Sequence, residues 1–116
     1  MNKVIIAGGR HFDDYELLKS KCDKILSRMT DIEIVSGGCR GADKLGERYA
    51  SEMGFPVKVF PALWSGAGKK EGPIRNKKMA LYADYLIAFW DGESKGTKDM
   101  ISQASNLGLK VKVINI

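Results

Sequence analysis

The sequence predicts an α/β fold: a single Rossmann-like three-layer domain, residues 1–116, with a mainly parallel five-stranded sheet. Short apolar segments rich in strand formers alternate with segments whose apolar residues recur at helical spacing. Strands that alternate with helices indicate a parallel sheet covered by helices. The sequence contains no repeat, linker or low-complexity tract, so we expect one domain.

The first half of the chain predicts a β-α-β-α-β order, with elements at residues 4–7, 14–29, 32–35, 42–53 and 57–60. Asp13 or Asp14 is a plausible N-cap of the first helix, and Gly54 ends the second. Pro56 precedes the third strand and has no backbone donor, which favours an edge position.

The second half predicts a long loop, a helix, a strand, a helix and a strand, at residues 61–72, 73–81, 85–90, 97–107 and 111–114. Pro73 suits a first helical turn, and Gly108 is a good C-cap. Structureless loops as long as 61–72 tend to be functional or mobile. Trp64 in this loop is a candidate to stack on a ligand or to act as a lid.

The bulk composition is that of an ordinary globular domain, with 44% hydrophobic and 28% charged residues. No apolar run approaches the roughly 20 residues of a membrane span, and the chain opens directly into a strand. Cys22 and Cys39 lack metal or redox spacing, and the single His11 cannot build a zinc site alone. We therefore expect a cytoplasmic protein without signal peptide, metal ion, cofactor or membrane contact.

The net charge of +5 favours an anionic partner, either a nucleic acid or a phosphorylated small molecule. Much of the excess is local, at Lys69, Lys70, Arg75, Lys77 and Lys78, against Glu71 alone. Adjacent helical side chains diverge by about 100°, so we expect Lys77 or Lys78 to lie on the surface.

Three of the strand-to-helix turns are rich in glycine: Gly8–Arg10, Ser36–Asp43 and Asp91–Thr97. In a parallel sheet these turns meet at one edge, where backbone N–H groups and helix N-termini can hold a phosphate. The alternative is that the glycines only turn the chain. Neither the G-x-G-x-x-G nor the P-loop spacing is present, which disfavours a standard NAD or ATPase site.

The predicted ligand-binding residues follow these turns and the start of the third helix. They are Gly8, Gly9, Arg10, Phe12, Ser36, Gly37, Gly38, Arg40, Gly41, Ala42, Asp43, Arg75, Asn76, Trp90, Asp91, Gly92, Ser94, Gly96 and Thr97. The arginines can bind phosphate through two N–H groups, and the aromatic rings can stack on a base. For Trp90, packing in the core explains the sequence equally well.

The catalytic candidates are Arg75 and Asp91. Asp91 ends a strand at the predicted site, where it can receive ribose hydroxyls or assist catalysis. Asp43, Glu93 and Asp99 are further carboxylates near this edge, and Asp43 has the alternative role of complementing a helix dipole. For His11 a solvent-facing loop position is the simpler interpretation, and for Cys39 a structural one.

Three segments carry a family resemblance when they are taken together: "GGCRGAD", "GPIRNKKM" and "ADYLIAFWDGESKGT". They resemble the SLOG superfamily, and most closely its YspA/YpsA-like branch, from Val4 to Ile114. The resemblance implies a Rossmannoid fold that binds nucleotides or nucleotide-derived ligands. The superfamily includes the Lonely Guy phosphoribohydrolases, DprA and sensors of nucleotide signals. Related domains often pair, so a homodimer is a further expectation.

The resemblance extends to particular positions. Arg75 and Met79 match the Arg-Lys-x-x-Met helix of Lonely Guy enzymes, which implies that Arg75 faces a phosphate or ribose. The catalytic glutamate of those enzymes falls on Met100, and we expect the adjacent Asp99 to be rotated away from the site. Trp90-Asp91-Gly92 also replaces their Pro-Gly-Gly.

The function that we predict is binding of a nucleotide or a nucleotide-derived small molecule, as a sensor or a sequestering protein. The first alternative is nucleotide N-glycoside hydrolysis, for which the usual carboxylate is missing from its position. The second alternative is binding of single-stranded nucleic acid through the basic face, as similarity to DprA suggests.

Overall fold

The computed structural model of the chain describes residues 1–61 and 71–116, and it confirms the α/β fold. The strands are β1 (Asn2–Gly8), β2 (Ile32–Ser36), β3 (Val57–Val59), β4 (Tyr85–Trp90) and β5 (Lys110–Asn115). The helices within the described residues are α1 (Tyr15–Leu26), α2 (Ala42–Met53), α3 (Glu71–Tyr82) and α4 (Lys95–Asn106). Most of the predicted long loop, with Trp64, Lys69 and Lys70, lies outside the described residues.

The five strands form one sheet in the order β3-β2-β1-β4-β5, and every pairing is parallel. β1 is central and β3 lies at an edge, as Pro56 indicates. From β3 the chain crosses, through α3, to β4 on the other side of β1. The strand order therefore reverses between β1 and β4, and the carboxyl ends of these two strands leave room for a ligand.

Helices cover both faces of the sheet because successive strand side chains point to opposite sides. Val4 and Ile6 of β1 pack in the cluster that contains the apolar residues of α1 and α2. Ile5 and Ala7 pack on the other side, with the apolar residues of α3 and α4. The alternation in β1 thus produces the predicted three layers.

The ends of the helices follow local capping rules. Asp14 is the N-cap of α1, and its Oδ1 accepts from the Leu17 N–H at 3.1 Å. Gly108 follows α4 with a positive φ of 81°, which suits a helix C-terminus. Lys77 and Lys78 are both exposed on α3. Within residues 1–61 and 71–116, no helix has the length and apolar character needed to cross a membrane.

Candidate functional site

A cleft of about 950 Å³ opens at the carboxyl edge of the sheet, over the ends of β1 and β4. Its described walls come from the β1–α1 turn, the β2–α2 turn, the start of α3 and the β4–α4 turn. The three glycine-rich turns therefore converge, and they do so where the strand order reverses.

The β1–α1 turn forms one wall of the cleft. Gly8 needs to be a glycine, because a Cβ there would lie 2.8 Å from Ala42 Cβ and against the carbonyl oxygen of Phe89. Phe12 stacks on Phe89 with ring centroids 5.2 Å apart, so one face of its ring is already packed. Arg10 is exposed and also lines the cleft.

The β2–α2 turn packs directly on the β1–α1 turn. The Ala42 N–H donates to the Gly9 carbonyl at 3.2 Å. Gly41 has a positive φ of 79°, and a Cβ there would lie 2.6 Å from the backbone of Arg10. Gly41 therefore allows the two turns to pack on each other, and it does not line the cleft.

Arg75 extends from α3 to the floor of the cleft and holds several backbone groups there. Its Nη1 donates to the carbonyl of Gly37 at 2.7 Å and to that of Phe60 at 3.4 Å. Its Nε donates to Asn76 Oδ1 at 3.0 Å. Within the described residues, the only hydrogen-bond partner of Nη2 is the sulfur of Cys39, at 3.9 Å. Among these residues, that side of the guanidinium therefore makes no stronger hydrogen bond.

Asn76 links Arg75 to the start of α4. Its side chain is only 5% exposed, and its Nδ2 donates to the Gly96 carbonyl at 3.2 Å and to Asp99 Oδ2 at 3.0 Å. Asp99 and Met100 both line the cleft. The expectation that Asp99 is rotated away is therefore wrong: the cleft receives two adjacent residues of α4, and Asn76 holds the Asp99 carboxylate.

The β4–α4 turn is organised by Asp91. Its Oδ1 accepts from the N–H groups of Glu93 and Ser94, at 2.8 and 2.9 Å. These two hydrogen bonds hold the pKa of Asp91 below its usual range, so the group is an anion and not a proton donor at neutral pH. Ser94 is the N-cap of α4 and its Oγ accepts from the Thr97 N–H.

Asp43 is a carboxylate at the floor of the cleft and is only 6% exposed. Its Oδ2 accepts from the Cys39 N–H at 3.1 Å. Burial raises the pKa of Asp43 to about 6, although the Cys39 N–H and the charge of Arg75 oppose the increase. The group therefore changes its charge close to neutral pH.

The raised pKa of Asp43 predicts a measurable pH dependence of stability. Between its ordinary pKa near 3.8 and about 6, the folded state binds more protons than the unfolded state, so stability falls as pH rises through this window. We expect the wild type to lose on the order of 2–3 kcal/mol relative to Asp43→Asn between pH 4 and pH 7.5. Urea unfolding at both pH values measures this difference, and parallel behaviour of the two proteins would contradict it.

The charges that line the cleft are mixed. The cations are Arg10, Arg75 and Lys95, and the carboxylates are Asp13, Asp43, Asp91, Glu93 and Asp99. The positive net charge of the chain is therefore not concentrated in the described walls. This balance suits a ligand that offers hydroxyl groups as well as negative charge.

Most of the predicted site residues meet in the cleft. The residues that line it are Gly8, Gly9, Arg10, Phe12, Gly37, Asp43, Arg75, Asn76, Asp91, Ser94, Gly96 and Thr97. Those that do not are Ser36, Gly38, Arg40, Gly41, Ala42, Trp90 and Gly92. Ser36 instead donates to Glu47 Oε2 at 2.6 Å, and Trp90 Nε1 donates to the Ser94 carbonyl at 3.1 Å, so both brace the turns.

Several lining residues were outside the predicted set. They are Ala7, His11, Asp13, Cys39, Gly72, Pro73, Met79, Glu93, Lys95, Asp99, Met100 and Ile116. Ile116 reaches the cleft because β5 pairs with β4 and the Ile116 N–H donates to the Trp90 carbonyl at 3.0 Å. Asp13 lies in the β1–α1 turn and Lys95 begins the helix after the β4–α4 turn, and closeness to a strand-to-helix turn was the available signal, whereas apolar residues such as Met79 look like core in the sequence.

Two sequence comparisons place this chain among known proteins. A sequence model of the "YspA, cpYpsA-related SLOG family" matches residues 2–66. The chain is also 34% identical over 118 residues to the Gene 61 protein of Mycobacterium phage D29, in an alignment that covers 96% of this chain and 94% of that protein.

Two solved structures have a similar fold. DNA processing protein A (DprA) from Streptococcus pneumoniae matches with a TM-score of 0.76 and 18% identity, over 100% of this chain and 51% of that one. The chain thus spans about half the length of DprA. The structural-genomics target TM1055 matches with a TM-score of 0.70 and 21% identity, over 96% of this chain and 72% of that one. At these identities the similarity shows the fold alone.

Proposed function

Since this chain belongs to the YspA, cpYpsA-related family of the SLOG superfamily, we propose that its cleft binds a nucleotide or a nucleotide-derived small molecule. The observation that carries the proposal is the convergence of three glycine-rich turns and Arg75 on one cleft at the reversal of strand order. Parallel α/β sheets bind their ligands at this place.

The phosphate of the ligand fits the side of the cleft where α4 begins. Lys95 and Gly96 are the first residues of this helix, and their N–H groups have no acceptor within the described residues. The Lys95 side chain and Arg10 add positive charge at the same cleft. Because carboxylates outnumber cations among the described residues that line the cleft, a ligand with one phosphate group fits better than a triphosphate.

A binding protein of this kind is a sensor or a sequestering protein for a nucleotide signal. The test is mass spectrometry of small molecules released from the purified, denatured protein, followed by calorimetric titration of the nucleotides found. Saturation at one small ligand per subunit supports the proposal.

The opposite results are equally clear. If no nucleotide is released and none of the common nucleotides binds, the proposal is rejected. If affinity instead rises with oligonucleotide length and falls steeply with salt, the protein binds single-stranded nucleic acid.

A second candidate function, hydrolysis of a nucleotide N-glycosidic bond, is favoured by the position of Asp99. Such cleavage needs a carboxylate that positions water or stabilises positive charge on the sugar. Met100 occupies the position where the family resemblance places that group, but Asp99 lines the same cleft and is held by Asn76 at 3.0 Å.

If the chain is such a hydrolase, Asp99→Asn should lower the rate of base release from nucleoside monophosphates by about a hundredfold or more. The amide can still accept from Asn76, so we expect ligand affinity to change little. Release of free base measured by chromatography, with calorimetric affinity as the control, checks this result. Turnover in the variant at the wild-type rate would exclude Asp99 from catalysis.

A further inference from the structure

On the basis of the proposed function, we infer that Asp43, rather than Asp91, is the carboxylate that receives the sugar hydroxyls of a ribonucleotide, next to Arg75 Nη2 at the floor of the cleft. From sequence alone, Asp91 is the obvious candidate for this role because it directly follows β4. The hydrogen bonds of the two carboxylates point to Asp43.

Asp91 uses its hydrogen bonds to stabilise its own turn. One of its oxygens already accepts from two N–H groups, those of Glu93 and Ser94. Its side chain is exposed to solvent, where a hydrogen bond to a ligand competes with water. Asp91 therefore shapes the wall of the cleft and has little to gain from a hydroxyl group.

Asp43 has the opposite properties. It is 6% exposed and lines the cleft, so a ligand that reaches it displaces little water. Its Oδ2 accepts from the Cys39 N–H and the carboxyl group also interacts with the Cys39 side chain, whereas no described residue donates to Oδ1 at hydrogen-bond distance. Among the described side chains, the Tyr15 hydroxyl is the only polar group that is both fully buried and without a hydrogen-bond partner. Since Oδ1 of Asp43 has no partner among these residues and is not in that class, it is accessible from outside the protein. The Oδ1 atom of Asp43 can therefore accept a hydrogen bond from a ligand in the cleft.

Arg75 supplies the complementary donor next to this acceptor. Its Nη2 carries two N–H groups, and within the described residues its contact is the weak acceptor Cys39 Sγ at 3.9 Å. The two groups flank Gly37: a Cβ on this glycine would lie 2.8 Å from Arg75 Cζ and 2.8 Å from Asp43 Oδ2. They form no ion pair within 4.0 Å, so both keep bonding capacity for a third group.

A donor and an acceptor side by side match a vicinal diol. One hydroxyl of the ribose can donate to Asp43 while its neighbour accepts from Arg75 Nη2. A phosphate offers only acceptors at neutral pH and meets the negative charge of Asp43, so it fits this place poorly. The ribose therefore lies at the floor, with its phosphate toward the start of α4.

The protonation of Asp43 gives an independent readout. The charged or titratable groups that act on it are Arg75 from α3, Glu47 from α2 and Cys39 from the β2–α2 turn. Together with burial they place the pKa of Asp43 at about 6. Preference for a ribose over a deoxyribose should therefore increase between pH 5 and pH 7.5, as the carboxylate becomes ionised.

The experiment compares the four ribonucleoside 5′-monophosphates with their 2′-deoxy counterparts by calorimetric titration. For the wild type at pH 7.5 we expect the ribonucleotide that binds to be preferred by about tenfold or more. Asp43→Asn should reduce this ratio about fivefold and remove its pH dependence, because a neutral amide is a weaker acceptor than a carboxylate. The matched control Asp91→Asn should leave the ratio unchanged.

The outcomes separate this inference from the proposed function. Equal binding of ribose and deoxyribose forms by the wild type overturns the role of Asp43 and leaves nucleotide binding intact. A ratio that depends on Asp91 and not on Asp43 also overturns it. Binding of none of the eight nucleotides, by a protein that also releases no nucleotide on denaturation, overturns both. Thermal unfolding of Asp43→Asn at pH 7.5 verifies that the variant is folded.

Discussion

Arg75→Ala is expected to abolish nucleotide binding, with an affinity loss of about a hundredfold or more. The variant loses the N–H groups that face the ligand and also the contacts that position the walls. Arg75 Nη1 holds the Gly37 carbonyl at 2.7 Å, and Nε holds Asn76, which in turn holds Asp99. Calorimetric titration of the nucleotide released from the wild type measures the loss.

The same variant should be less stable by about 1–3 kcal/mol, because the Gly37 carbonyl and Asn76 Oδ1 lose their donor away from bulk water. The matched control is Lys78→Ala, which removes an exposed cation three residues along α3 and should change neither property. If Arg75→Ala binds the nucleotide within threefold of the wild type, the cleft is not the binding site.

Gly41→Ala is expected to lower the free energy of unfolding by about 3 kcal/mol or more. Two effects combine at this position. The positive φ of 79° is unfavourable for alanine, and the new Cβ would lie 2.6 Å from backbone atoms of Arg10 and against the Gly9 carbonyl. Backbone cannot rotate away as a side chain can, so the β1–α1 and β2–α2 turns must separate. Urea unfolding measures the change.

Gly54→Ala measures the cost of a positive φ where no clash occurs. Gly54 has a φ of 77° and a ψ of 22°, in the left-handed region, and a Cβ there meets nothing within 4 Å. The substitution should therefore cost about 1 kcal/mol. Gly41, with a φ of 79° and a ψ of −129°, lies in a region that glycine adopts readily and alanine does not, so its larger loss combines greater backbone strain with the contact between the turns. Equal destabilisation by the two substitutions would contradict both contributions. Nucleotide binding should be lost in Gly41→Ala and retained in Gly54→Ala.

The glycines show how far pattern reasoning reaches in this chain. Their position after predicted strands was sufficient to locate three turns at one edge of the sheet, and the structure confirms that convergence. Their purpose was not visible. Gly8 and Gly41 let two turns pack on each other, and Gly37 makes space for Arg75 and Asp43. These contacts join residues far apart in the sequence, so the local spacing of the glycines cannot predict them.

The carboxylates show the same limit. The sequence favoured Asp91 because it ends a strand, and it placed Asp99 near the same edge but with its side chain rotated away from the expected catalytic position. The hydrogen bonds in the structure assign these residues different roles. Asp91 stabilises its own turn, whereas Asn76 from another helix holds Asp99 in the cleft. A helical wheel cannot show this, because it has no information about what packs against the helix.

The sequence by itself determined the order of strands and helices, the parallel sheet and the edge of the sheet at which the cleft opens. These features depend on hydrophobic periodicity, capping residues and the handedness of the connections, which are local properties of the chain. Tertiary structure alone decided which polar groups remain available in the cleft. Availability depends on whether a donor or acceptor already has a partner, and for Arg75, Asp43 and Asp91 that was settled by which neighbours the fold brings within 3 or 4 Å.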